Sequence, residues 1–271
     1  MHRARLLAGL LLLAGAWPAC AAVRVFIVTD MEGVGGVNSS DEQLLPGQRR
    51  YDESRRLLAG ELNAAVEGAL AAGATELVVW DGHDGSRSLS VDDIHTRAKL
   101  IQGKPTPANY YLSDRAYDGI FFIGQHAMAG AKGGVLAHSQ SFSVESITIN
   151  GRAVGEIGQV AAIAGYFHIP VVMLSGDQAA CDEIRQLQPN AETVAVKRLA
   201  GNASSLSLSH SEAKAQIRAA AERAVAHLSS YSPWIVRGPV EMTFRYYARE
   251  KAPAVYKGET VLEAYEAWLG K

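Results

Sequence analysis

Val23-Arg24-Val25-Phe26-Ile27-Val28 leads into Asp30-Met31-Glu32-Gly33-Val34-Gly35-Gly36, an apolar strand followed by an acidic, glycine-rich turn. The arrangement recurs. Glu76-Leu77-Val78-Val79-Trp80 leads to Asp81-Gly82-His83-Asp84-Gly85, Gly119-Ile120-Phe121-Phe122-Ile123 to Gly124-Gln125-His126, and Ser146-Ile147-Thr148-Ile149 into a helix that carries Glu156. Open α/β sheets build their sites beyond the C-terminal ends of their strands, and His, Asp and Glu are metal-ligand residue types. One such residue after one strand means little, but four in a chain point to a binuclear metal centre on one rim.

The segments between these strands fit the same architecture. Leu58, Leu62, Ala65, Val66, Ala69 and Leu70 recur at three- and four-residue spacing, which predicts a helix over Arg49–Ala72 stopped by Gly73. An Ala-rich helix is expected over Gly155–Phe167, and a buried strand over Pro170–Leu174 that ends at Ser175-Gly176-Asp177. Strands alternating with helices argue a mostly parallel sheet covered on both faces. Ser143–Ile149 turning at Asn150-Gly151 reads as a hairpin, which would make that sheet mixed. Ser86–Asp118, with Pro105 and Pro107, is expected to cross the sheet edge without a long helix.

Beyond Asn190, Thr193–Lys197 and Val240–Tyr246 read as strands, and Ser211–Leu228 and Thr260–Leu269 as helices. The expected fold is therefore α/β, a three-layer α/β/α arrangement with a mixed, mostly parallel sheet. Residues 23–190 form the metal-binding core, and 191–271 a smaller α+β portion packed on it.

Residues 1–22 have a basic start, an apolar stretch from Leu6 to Ala16 and small residues ahead of a cleavage point after Ala21 or Ala22, the three parts of a secretory signal. The apolar stretch is shorter than the ~20 residues a spanning helix needs. The mature chain is expected to be exported, in the periplasm, with no stable membrane association; a lipid anchor on Cys20 is the alternative. Once the leader is removed, Cys181 is the only cysteine, and no internal disulfide can form. At 271 residues and 48% hydrophobic the chain can bury a substantial core. A net charge of -2 without a basic stripe argues against a nucleic-acid partner.

Each candidate residue has a plainer reading beside the functional one. Asp30 and Glu32 are two apart, and carboxylates that close repel unless a proton or a cation lies between them; an Asp at a strand end also commonly caps a turn. His83 sits in a polar loop, where most histidines are merely exposed. His126 is better fixed, behind a nearly all-apolar strand. Glu156 in the first turn of a helix complements the helix dipole whatever else it does. His138, in Leu136-Ala137-His138-Ser139, is open to three readings: third histidine ligand, general acid or base, or loop residue. Asp177 is a candidate for substrate binding or for orienting a ligand, and Cys181 for a buried small hydrophobe.

In order and spacing, Asp30-Met31-Glu32-Gly33, Asp81-Gly82-His83, Gly124-Gln125-His126-Ala127, His138-Ser139, Gly155-Glu156-Ile157-Gly158, Ser175-Gly176-Asp177 and Ala195-Val196-Lys197 resemble the zinc-dependent D-aminopeptidases of the DppA type. The resemblance implies two zinc ions per subunit on Asp30, Glu32, His83, His126 and Glu156, with His138 catalytic. It also implies a homo-oligomer, a decamer, and short peptides with an N-terminal D-residue as substrates. For an exported chain, D-Ala-containing peptides are the expected substrates. With Asp30 bridging, Glu32 and His126 are expected on one ion and His83 and Glu156 on the other. A peptide- or metal-binding protein without turnover and a different binuclear amidase are the competing readings.

Overall fold

The strand β1 (Val23–Thr29) alternates its side chains between two apolar layers. Val25 and Ile27 pack with α2 (Tyr51–Ala71) and α5 (His210–Ala226), while Phe26 and Val28 pack with α3 (Glu156–Tyr166) and α4 (Gln178–Leu187). A strand buried on both faces belongs in the middle of a three-layer sandwich. The computed structural model describes residues 22–104, 112, 117–202 and 204–270. The expected leader, Cys20 included, and the Pro105/Pro107 break lie outside the described residues.

Beside β1 stand β2 (Ala74–Asp81) and β3 (Ala98–Ile101) on one side, and β4 (Gly119–Gln125), β7 (Val171–Asp177), β8 (Glu192–Leu199) and β9 (Ser205–Ser207) on the other, in the order β3-β2-β1-β4-β7-β8-β9. All neighbours are parallel except β9, which runs against β8. From β1 the chain builds outward to β2 and β3, then returns to lay down β4 and its successors. That reversal puts a crevice between the C-terminal ends of β1 and β4, where Asp30 and His126 sit.

The Asn150-Gly151 turn forms with both residues at positive φ, 50° and 79°, as a tight hairpin turn requires. Its strands, β5 (Val144–Ile149) and β6 (Arg152–Val154), do not join the main sheet. They pair with β10 (Val240–Tyr246) and β11 (Ala254–Gly258) in a second, four-stranded sheet. The main sheet is therefore mixed because of β9, not because of the hairpin. The two parts expected at 23–190 and 191–271 share both sheets: β8 pairs with β7, and β10 with β5. The helix expected from Ser211 starts one residue earlier, capped by the Ser209 hydroxyl, which accepts from Glu212 N at 3.3 Å. The closing helix α6 (Val261–Leu269) is capped by Thr260.

The turns after β1 and β4 lie backbone against backbone. Asp30 N donates to Ile123 O at 2.9 Å, and Gly33 N to Gly124 O at 2.7 Å. A Cβ at position 33 would sit 2.0 Å from Gln125 O, so nothing but glycine allows this approach. Gly33→Ala is expected to lower Tm by roughly 5–10 °C, as forced overpacking of a chain this size does; a calorimetric scan matching the wild type would show that the two turns do not touch.

Candidate metal centre

Asp30, Glu32, His83, His126, Glu156 and His138 converge at the crevice between β1 and β4, and all but Glu156 are almost fully buried. Asp30 and Glu32 come from the turn after β1, His83 from the loop after β2, and His126 from the end of β4. Glu156 is delivered by the β5–β6 hairpin, which feeds directly into the first turn of α3. His138 hangs from the loop between β4 and β5 and stacks on His126, with ring centroids 4.0 Å apart.

Two groups form. His83 Nδ1 lies 2.9 Å from Glu32 Oε2 and 3.2 Å from Asp30 Oδ1. His126 Nε2 lies 3.2 Å from Asp30 Oδ2 and 3.5 Å from Glu156 Oε1, and His138 Nε2 lies 3.8 Å from the same Glu156 oxygen. Asp30 thus turns one carboxylate oxygen to each group. The expected partition is corrected: Glu32 belongs with His83 and Glu156 with His126, because the short turn after β1 keeps Glu32 on the β2 side of Asp30.

Each imidazole is held by a backbone carbonyl through its other nitrogen. His83 Nε2 donates to Leu44 O at 2.8 Å, His126 Nδ1 to Ala127 O at 2.9 Å and His138 Nδ1 to Leu136 O at 3.0 Å. This fixes the tautomer that aims a lone pair into the carboxylates, the arrangement metal-binding histidines use. Apart from His83 Nδ1, 2.9 Å away, the buried Glu32 Oε2 meets no hydrogen-bond donor among the described residues, as suits an oxygen shaped for a cation. Asp30 is held in place by Met31 N at 2.8 Å and Gln125 Nε2 at 3.0 Å, and Glu156 by Gln140 N at 2.7 Å.

The electrostatics also call for positive charge. Burial opposes charge on His83, yet Glu32 and Asp30 more than offset it and lift the imidazole to about 12. His126 likewise overcomes burial through Glu156 and Asp30 and rises well above its ordinary value. Burial alone would raise Asp30, but the two histidines hold it well below the usual carboxylate range. Glu32 is raised by burial and by its neighbour Asp30. Three carboxylates and three imidazoles in two groups, with a shared Asp, therefore fit a pair of divalent ions.

Beside the centre opens a cavity of about 800 Å³, with Leu44, Trp80, Phe142, Tyr265 and Trp268 on its apolar walls. Phe142 stacks on the outer face of His138, with centroids 4.3 Å apart. Asp177 does not reach this cavity. It is fully buried, and its oxygens accept from Ala180 N and Val135 N, both at 2.7 Å; the substrate-binding role expected for it gives way to holding the loop that leads to His138. Cys181 is buried, as expected.

Sequence reading missed two buried charges that hold the β1 turn from behind. The Lys197 ammonium donates to the carbonyl oxygens of Glu32 and Val37, and Glu61 Oε1 accepts from Gly35 N at 2.9 Å. Glu61 had a legible signal: it falls on the apolar face of α2, between Leu58, Leu62 and Ala65.

Residues 23–265 match the family described as Peptidase M55, D-aminopeptidase. A D-aminopeptidase of Bacillus subtilis (strain 168) is 37% identical over 177 residues, 65% of this chain and 64% of the relative, so the match spans less than two thirds of that relative's length. The fold is also similar to the solved structure of the Zn-dependent D-aminopeptidase DppA from Bacillus subtilis, a self-compartmentalizing protease. The TM-score is 0.83 at 27% identity, covering 92% of this chain and 96% of that one.

Burial pushes the Glu61 carboxyl up to about 7, against the pull of Gly35 N–H and Lys197. Because the folded pKa lies above the unfolded one, the fold favours the protonated form. Stability from this group is present below about pH 4.5 and is lost as pH rises towards 7, by about 3 kcal/mol. Glu61→Gln keeps the neutral form at every pH. Urea unfolding at pH 5 and pH 8 is expected to show the variant gaining on the wild type at the higher pH, and an equal difference at both would refute the shift.

Proposed function

The chain belongs to the Peptidase M55 D-aminopeptidase family, and from that premise we propose that it is a binuclear zinc aminopeptidase, exported, that hydrolyses short peptides with an N-terminal D-residue of the D-Ala type. The observation that carries the reading is the placement of Asp30, with Oδ1 towards the Glu32–His83 group and Oδ2 towards the His126–Glu156 group. Asp30, Glu32 and His83 would hold one ion, and Asp30, His126 and Glu156 the other. Zinc at such a site supplies Lewis acidity for a carbonyl and lets water ionise near neutral pH.

The chain's own groups do the rest. His138 has the loosest contact in the cluster, 3.8 Å to Glu156, and it lines the cavity. It is the imidazole with room to move a proton, while its Nδ1 stays on Leu136 O. As the water oxygen bonds to the carbonyl carbon and the C–N bond breaks, His138 Nε2 takes the proton the water gives up and passes it to the leaving amine. The carboxylates of Asp41 and Asp84 on the cavity wall are placed to receive the substrate's α-ammonium, and the apolar wall excludes bulk water from the scissile bond.

The relatives' names support the D-stereochemistry, and the self-compartmentalizing neighbour supports a homo-oligomer, which we propose to be a decamer. The leader pattern supports export to the periplasm, with β1 starting at the expected cleavage point. Among the described residues no helix is long and apolar enough to cross a membrane.

Purified mature protein is expected to carry two zinc ions per chain, to lose activity to a chelator, and to regain it with zinc. It is expected to cleave D-Ala-D-Ala in preference to L-Ala-L-Ala; a preference for the L-peptide would sink the substrate assignment. Glu156→Gln should cost more than the 10–100-fold typical of losing an outer partner, read as kcat/KM together with zinc content. Full activity with two zinc ions retained would rule out this ligand set.

A further inference from the structure

The two chain segments that carry the second ligand group are not neighbours in sequence. His126 and His138 flank the loop after β4, and Glu156 opens α3. One side chain bridges them. Glu183, on α4 and buried, accepts from Met128 N through Oε2 at 2.8 Å and from Gly155 N through Oε1 at 3.2 Å. Met128 lies two residues past His126, and Gly155 is the cap residue directly before Glu156.

Gly155 leaves α3 without a side-chain cap of its own, since it has no side chain. Glu183 supplies from the adjacent helix an acceptor for the N–H of that cap residue, the group that the third-residue carboxylate of a capping box would otherwise bond. Its own helix is anchored in turn by Asp177, which caps α4 through Oδ1 and holds Val135 N through Oδ2. The carboxylate lines no part of the cavity, so it touches neither substrate nor the reacting bond.

We propose that Glu183 is a positioning residue for the His126–Glu156 half of the centre: its two oxygens, one on each segment, set the 3.5 Å spacing between His126 Nε2 and Glu156 Oε1. A carboxylate is required because both partners are N–H donors. An amide has one acceptor oxygen, and its NH2 would face the remaining donor. The Glu32–His83 half has no such link to α4 and is held instead by Lys197 and Glu61. The inference rests on the binuclear reading but makes a claim that reading does not: the two halves have separate supports.

The test is a zinc titration of the full mature chain against a chromophoric chelator, which resolves two binding constants, for the wild type, Glu183→Gln and Glu61→Gln. Glu183→Gln is expected to weaken one constant by about 10–100-fold, the usual effect of losing an outer-shell partner, and the other far less. Glu61→Gln is expected to spare the constant that Glu183→Gln lowers. If Glu183→Gln proves too unstable to purify, Glu183→Asp, which keeps the charge but reaches only one of the two N–H groups, is expected to show the same asymmetry to a smaller degree. Two unchanged constants, or two that fall together with Tm, would overturn the positioning role while leaving the zinc site intact. A wild type that binds no zinc would overturn both the role and the binuclear reading.

Discussion

Three carboxylates, Asp30, Glu32 and Glu156, are gathered into one largely buried crevice, and the rest of the site answers that electrostatic demand. Buried like charges at these distances cost several kcal/mol each unless positive charge lies between them. In the protein alone, His83 and His126 supply it and are drawn towards the imidazolium form. Divalent cations would satisfy the same demand better, because each imidazole is already held by a carbonyl in the tautomer that points a lone pair inward. The cluster is thus arranged around positive charge at the expense of stability without it.

Such a cluster survives only on a rigid frame, and the frame is made mostly of backbone. The β1 and β4 turns lie in direct main-chain contact at the point where the strand order reverses. Four buried ionisable side chains behind them, Lys197, Glu61, Asp177 and Glu183, each bind main-chain groups of a segment that carries one of the clustered side chains. Main-chain donors and acceptors in loops at this depth have no water to bond, so each needs a partner. A charged partner binds more strongly than a neutral one. The cost is burial, visible in Glu61 and Glu183, both pushed up to about 7, and in Lys197, brought down to about 8.

How far the sequence revealed this depends on how local each signal was. The strands before Asp30, His83 and His126 announce themselves by composition, and the end of an apolar run is also where the side chain emerges at the rim. Glu156 was ambiguous, because the helix dipole explains a first-turn Glu equally well, and only the hairpin's position decides. The ligand grouping was not legible: it depends on which way a three-residue turn bends, which no periodicity records. Asp177 stayed between substrate binding and orienting a ligand for a related reason, since a strand-end carboxylate can face the cavity or turn back to hold a neighbouring loop. The short strands β9 and β11 left too few residues for a period to register.

The second sheet explains why the C-terminal residues matter to a cluster whose six side chains all lie before residue 157. β10 pairs with β5, so the C-terminal hairpin completes the sheet on which the β5–β6 turn is mounted, and that turn delivers Glu156. The same segment ends in α6, whose Tyr265 and Trp268 wall the cavity beside the cluster. One portion of the chain thus braces Glu156 and shapes the cavity, yet contributes no side chain to the cluster. Substitutions at Trp268 on α6 therefore bear on the shape of the cavity, whereas those in β10 bear on Glu156 as well, through the hairpin that β10 holds.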